Sequence, residues 1–239
     1  MKVAIHQPQY WPWPPYLYKV LSADVFVYLD TVQFTKNGLQ NRNQIKGQGG
    51  ALWLTVPVVQ QLGQTIAQTR IADERSLVKH AKTLQAAYAR TPGYKRWKDE
   101  LDVLFAARYA SLSDIAIATT EWMLDKCGVT ATRRRASEIS GVDLDKHASE
   151  LVAEICRQLG ATEYLTGRGA LDYLVPEHFA AIGCVVSIQT WKHFEHAQTF
   201  PDTGFVPDLS ALDLLLNCPD DAPGMIRAAG GWEVLWKAS

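Results

Sequence analysis

Apolar residues along the chain fall into short runs separated by longer stretches of helical period. Val3–Ile5 is apolar and is stopped by His6-Gln7-Pro8, which predicts a short buried strand. Pro14–Ser22 (PPYLYKVLS) predicts a helix, because proline is favoured at the first helical positions. Val25–Leu29 predicts a second, central strand. Residues 2–30 therefore form a strand–loop–helix–strand unit, for which a right-handed parallel crossover is the default. Residues 35–50 read as a polar loop, and Ala51–Val59 as a strand whose end Pro57 turns into an edge or a bend. Gln64–Ile71 alternates weakly, as a short strand would.

Residues 74–127 change period. Leu77, Ala81, Leu84 and Tyr88 have helical spacing, Lys95–Arg108 and Ser113–Lys126 continue it, and Gly128 suits a helix end. This stretch reads as a helical insertion or subdomain. Val129–Arg134 returns as a strand. Lys146–Leu159 is an amphipathic helix stopped by Gly160, followed by a strand at Glu163–Thr166, a helix within Leu171–Ile182 interrupted near Pro176, and a strand at Cys184–Ile188. Asp220–Gly231 reads as loop, with Trp232–Trp236 packed on the body. The rhythm predicts an α/β fold: one domain over residues 1–239, with a parallel sheet of strands 2–6, 25–29, 52–56, 163–166 and 184–188 and the helical insertion at 74–127.

Composition narrows the class. The 239 residues are 47% apolar and 21% charged, with a formal net charge of −1, so no charge excess points to nucleic acid or to an anionic membrane surface. The longest apolar runs are too short to span a bilayer. Pro8 cuts the N-terminal apolar run, against the pattern of a secretory signal. Cys127, Cys156, Cys184 and Cys218 are scattered without a CxxC pair, which suggests buried thiols in a cytoplasmic protein.

Three polar segments fall just past predicted strands, where parallel sheets bind ligands. In His6-Gln7-Pro8-Gln9-Tyr10 a rigid, proline-rich turn holds an imidazole able to share a proton near neutral pH. A histidine between the first strand and first helix is also how HIGH-type nucleotidyltransferases hold ATP, with the helix N-terminus facing phosphate. The second histidine and the glycine of that motif are missing here. Asp30–Arg42 (DTVQFTKNGLQNR) carries a carboxylate, Gln33, the amides Asn37 and Asn41, and the cations Lys36 and Arg42, suited to a phosphate or carboxylate. Thr166-Gly167-Arg168-Gly169 offers backbone amides and a guanidinium to an anion. Against each stands a plain alternative: a capped loop, a solvated loop and a tight turn. His193 and His196 have metal-pair spacing but no third ligand, so no metal is assigned.

The segment IHQPQYWPWPPYLYKVLSADVFVYLDTVQFTKNGLQNRNQIK, with WLTVPV, EYLTGRGALDYL, FAAIGCVVSIQTW and FVPDLSALDLLLN, resembles the WbqC-like protein family over residues 3–217. The chain departs from that pattern at Pro14-Pro15, where a glycine is usual, and at Phe194-Glu195-His196, in place of a proline-rich aromatic turn. The α/β rhythm and the histidine turn suggest a nucleotidyltransferase- or Rossmann-like core, and the resemblance implies a role in O-antigen, lipopolysaccharide or related amino-sugar biosynthesis. The activity it suggests is transfer or ligation of an amino-acid or small acyl group to an amine. On that reading His6, Asp30, Lys36 and Arg42 are the catalytic candidates. Gln7, Tyr10, Gln33, Asn37, Asn41, Thr166, Gly167, Arg168 and Gln189 are the substrate-binding candidates. A ligase would use ATP with magnesium, the substrate partner would be a nucleotide-linked amino sugar, and a homo-oligomer is compatible with the chain. The competing class is a non-catalytic protein that binds a nucleotide-sugar or a partner.

Overall fold

The computed structural model describes residues 1–237. In chain order its elements are β1 (Lys2–His6), α1 (Pro14–Leu21), β2 (Val25–Tyr28), β3 (Arg42–Gly47), β4 (Gly50–Thr55), α2 (Arg75–Tyr88), α3 (Pro92–Ala106), α4 (Leu112–Lys126), β5 (Thr132–Arg135), α5 (Ala148–Leu159), β6 (Glu163–Thr166), α6 (Pro176–Ala180), β7 (Val185–Trp191), α7 (Ala211–Asn217), α8 (Ala222–Ala229) and β8 (Gly230–Trp236). The central sheet has six strands in the order β5-β2-β1-β6-β7-β8. All neighbours are parallel except β7 and β8.

The apolar runs become strands because both faces of the sheet are covered. Ala4, Phe26, Tyr28 and Leu165 face a core shared with α1, the three helices α2–α4, and α7. Val3, Ile5, Val27, Tyr164 and Val186 face the other core, against α5 and α6. One-residue alternation thus sends neighbouring side chains into different cores. Two helices on the first face meet at Gly93 of α3, where a Cβ would stand 2.5 Å from the Leu215 carbonyl oxygen of α7.

Residues 52–56 do not join this sheet. Residues 52–55 lie in β4, which pairs antiparallel with β3 as a separate hairpin, and Val56 follows its end. The reversal needs only the short Gly47–Gly50 turn, with Gly50 at φ 109°. Leu52 and Trp53, on opposite faces, remain 42% and 43% exposed, so the middle of this strand is open on both sides and Leu54 is its buried residue. The fifth parallel strand is instead β5, at the edge beside β2. Gln64–Ile71 makes only the isolated bridges Gln33–Thr65 and Val58–Ile71. The helix expected within Leu171–Ile182 shortens to Pro176–Ala180, because Pro176 occupies its first turn. Within Asp220–Gly231, α8 forms, and Trp232–Trp236 becomes part of β8. Among the described residues no helix is long and apolar enough to cross a membrane, and all four cysteines are free.

Candidate functional site

Strands β1, β6 and β7 end at one edge of the sheet, and a groove of three adjoining cavities runs across it. The first, about 230 Å³, is lined by His6, Gln7, Lys19, Thr166 and Gly167. The second, about 650 Å³, shares His6, Lys19 and Gly167 with it and adds Gln9, Tyr16, Arg168, Gln189 and Trp191. The third, about 660 Å³, shares Trp13, Pro15, Trp191 and His193 with the second and continues along Phe194, Glu195, His196, Phe205 and Asp208.

Lys19 is the centre of charge. It sits on the inner face of α1, 95% buried by its 5% exposure. Its side chain makes no hydrogen bond or ion pair among the described residues, and burial alone pulls its pKa from 10.5 down to about 8. A Cβ at Gly167 would lie 3.1 Å from its Nζ, so glycine in the turn after β6 leaves room for the ammonium to approach. His6 packs edge-on against the Tyr16 ring at 4.8 Å. Its Nδ1 donates to the Gln7 carbonyl at 3.0 Å, which leaves Nε2 as the acceptor. Burial first, and Lys19 second, lower the His6 pKa from 6.5 to about 3, outweighing the Gln7 carbonyl. At neutral pH the first cavity therefore holds a neutral imidazole beside an unpaired cation.

The sequence candidates divide by place. His6, Gln7, Thr166, Gly167, Arg168 and Gln189 converge on the groove from three strand ends. Gln7 is fixed by Gln40, whose Nε2 donates to its Oε1 at 2.7 Å, and Gln189 donates to the Pro15 carbonyl at 2.8 Å. The others lie elsewhere. Asp30 is fully buried, and its carboxylate accepts from the Ser137 amide at 3.0 Å and hydroxyl at 2.7 Å, which ties the end of β2 to the turn after β5. Tyr10 is buried with its hydroxyl 2.8 Å from His80 Nδ1. Asn41 donates to the Val56 carbonyl at 2.8 Å, bracing the hairpin. Arg42 stacks 4.4 Å over Trp53 and donates to the Asn37 carbonyl at 2.7 Å. Gln33, Lys36 and Asn37 are exposed in the loop before the hairpin.

The helix N-terminus expected to face phosphate is blunted. Pro14 and Pro15 have no N–H, and the Tyr16 amide donates to the Trp13 carbonyl at 3.1 Å. Charge reaches the groove through Lys19 instead. Sequence reasoning passed over that residue, although a lysine three positions after Tyr16 and one before Val20, on the apolar side of PPYLYKVL, was the available signal. It also passed over Asp213. This fully buried carboxylate, under the third cavity, accepts from Tyr88 Oη at 2.6 Å, His196 Nε2 at 2.8 Å and Gln198 Nε2 at 2.9 Å. Gln198 Oε1 in turn accepts from buried Lys46 at 3.4 Å, and Lys46 also donates to the Gly204 carbonyl. Among the described residues no group of three or more His, Cys, Asp or Glu side chains is placed to hold a metal ion.

The family model of the WbqC-like protein family matches residues 7–224, which takes in the elements that line the groove apart from β1 and its His6. The chain belongs to the WbqC-like family. Over 230 residues it is 28% identical to "Uncharacterized protein Rv1507c" of Mycobacterium tuberculosis (strain ATCC 25618 / H37Rv), covering 95% of this chain and 97% of that protein. No solved structure matches. Within this WbqC-like chain, the HQP turn supplies His6 and Gln7 to the groove, and TGRG supplies the facing wall.

Proposed function

We propose that this WbqC-like protein is a cytoplasmic enzyme that transfers or ligates an amino-acid or small acyl group to an amine, in the building of amino sugars for surface polysaccharide. Lys19 is the observation that carries the reading. An ammonium taken out of water with no partner is costly, and a carboxylate or phosphate entering the first cavity supplies the missing charge. With a pKa of about 8, roughly a tenth of Lys19 is the free amine at pH 7. His6 Nε2, neutral and unprotonated, is placed to accept a proton in the same cavity. Arg168, exposed at the mouth, adds a second positive charge. The second and third cavities have the volume of small-molecule sites, and their aromatic walls suit a sugar or a base.

This reading treats the core as nucleotidyltransferase-like, within one α/β domain into which α2–α4 are inserted. It gives Asp30 and Arg42 supporting roles and shifts the chemistry to His6 and Lys19. ATP with magnesium would activate the acid in a ligase. A second reading, a protein that binds a nucleotide-sugar without chemistry, is favoured by one fact: Lys36 and Arg42, the cations proposed for a leaving phosphate, lie off the groove.

Ligand-dependent melting separates the two. Stabilisation of the parent by ATP with magnesium, reduced in Lys19→Met and His6→Ala, supports the enzyme. Stabilisation by a nucleotide-sugar alone supports the binding protein. A response to either ligand that is unchanged in both variants would remove the Lys19 cavity from the function.

A further inference from the structure

The groove is electrically polarised. Its first two cavities carry Lys19 and Arg168, whereas the third has Glu195 and Asp208 on its walls and no lysine or arginine. The third is also the aromatic one, with Trp13, Trp191, Phe194 and Phe205. At its floor His196, its side chain 9% exposed, is locked by Asp213. Asp213 takes a hydrogen from His196 Nε2 as well as from Tyr88 and Gln198. The ring's other nitrogen, Nδ1, is therefore left as an acceptor, and it has no partner among the described residues. The buried charge nearby is already balanced, since Gln198 bridges the Asp213 carboxylate to the Lys46 ammonium.

We propose that this third cavity is the subsite for the amine-bearing reactant, a cationic aminopyranose, and that His196 Nδ1 accepts a hydrogen bond from its amine or hydroxyl. The inference rests on the enzyme reading above and names where its second substrate binds. Three features select that chemistry. Carboxylates at the rim favour an ammonium over an anion. Aromatic faces stack on the apolar side of a pyranose ring and also attract cations. A buried acceptor that the protein leaves unsatisfied gains a partner only when a donor arrives. The acid-binding end at Lys19 and the amine-binding end at His196 then flank the second cavity, where the two reactants meet.

The test uses the full chain and long-range ¹H–¹⁵N spectra of its histidines, with methyl β-glucosaminide and methyl β-glucoside as probes. The expected result is His196 protonated at Nε2, an Nδ1 resonance that moves on addition of the glucosaminide, and binding of the glucoside weaker by about tenfold. Glu195→Gln, at an exposed position, should bring the glucosaminide close to the glucoside without altering the fold. His196 protonated at Nδ1 instead, an unmoved resonance, or equal binding of the two sugars would each overturn the proposal. Lys19→Met keeps the two readings apart. If the parent binds acetate no better than that variant does while the glucosaminide still moves the His196 resonance, the enzyme reading falls and the amine subsite stands.

Discussion

Replacing Lys19 by methionine should stabilise the protein. The side chain is buried without a partner among the described residues, and burial lowers its pKa from 10.5 to about 8. At 1.36 kcal/mol per pK, that gap is about 3 kcal/mol of strain carried by the folded state, an upper value because water in the cavity relieves some of it. Methionine keeps the length and volume of the stem and removes the charge. For a chain of this size about 3 kcal/mol corresponds to roughly 6–12 °C in Tm. The pH dependence is the sharper signature. The folded pKa lies below the unfolded one, so the strain is fully present below pH 8 and fades as pH rises to 10.5. Denaturant titrations of parent and Lys19→Met from pH 7 to 10.5 should show a stability gap that closes over that window. The same variant should lose stabilisation by a carboxylate ligand. A variant that melts at or below the parent at pH 7, or a gap that stays flat across the window, would refute the reasoning.

Other residues test the division between groove and scaffold. His6 has a depressed folded pKa of about 3, so the parent should lose stability from pH 6.5 downward as the unfolded chain takes up the proton; His6→Gln should flatten an acid-unfolding curve by on the order of 2 kcal/mol, discounted for its partial exposure. Asp30→Ala strands the Ser137 amide and hydroxyl and should cost about 2–4 kcal/mol in denaturant unfolding, while ligand-induced shifts in Tm persist; a normal Tm with lost ligand response would return Asp30 to the site. Arg42→Ala removes the Trp53 stack and should cost about 1 kcal/mol by the same titration with ligand response intact. Gly93→Ala drives a Cβ to 2.5 Å from the Leu215 carbonyl and should cost about 1–3 kcal/mol or more, visible as a lowered Tm.

How much of this was legible depended on range. Strands β1, β2, β6 and β7 were readable because each is buried on both faces, so its apolar run is continuous and local. Helices α2–α4 were readable from period alone. The sequence RNQIKG hid β3, because its buried polar residue Asn43 is satisfied by a distant backbone group, the Trp11 carbonyl at 2.7 Å. Nothing local to Asn43 shows that partner. The same holds for β8, whose GGWEVLW has the composition of a turn and becomes a strand only through pairing with β7. At the site, residues at the ends of the central strands β1 and β6 reached the groove, as His6, Gln7 and Thr166–Arg168 did. Those after β2 did not, since Asp30 turns to Ser137, 107 residues away, and the following loop leads into the hairpin. Position past a strand end was sufficient in the middle of the sheet and failed beside its edge.

Two buried lysines show why the groove reads as a site rather than as incomplete packing. Lys46 is fully buried, and its ammonium finds Gln198 and the Gly204 carbonyl, with Asp213 one residue further along the same network. The fold can therefore satisfy an internal ammonium where a role in stability requires it. Lys19 is nearly as buried, lies on a short helix in the same core, and finds no partner among the described residues. A methionine there would fill the same space without the cost, so packing alone does not account for a lysine. A charge that the fold tolerates unpaired gains its compensation from outside the chain. The opening beside it leads along His6 and Gln189 to the acidic, aromatic end where His196 Nδ1 also lacks a partner among the described residues. Unmet demands of opposite character at the two ends of one groove are what a site for an acid and an amine requires.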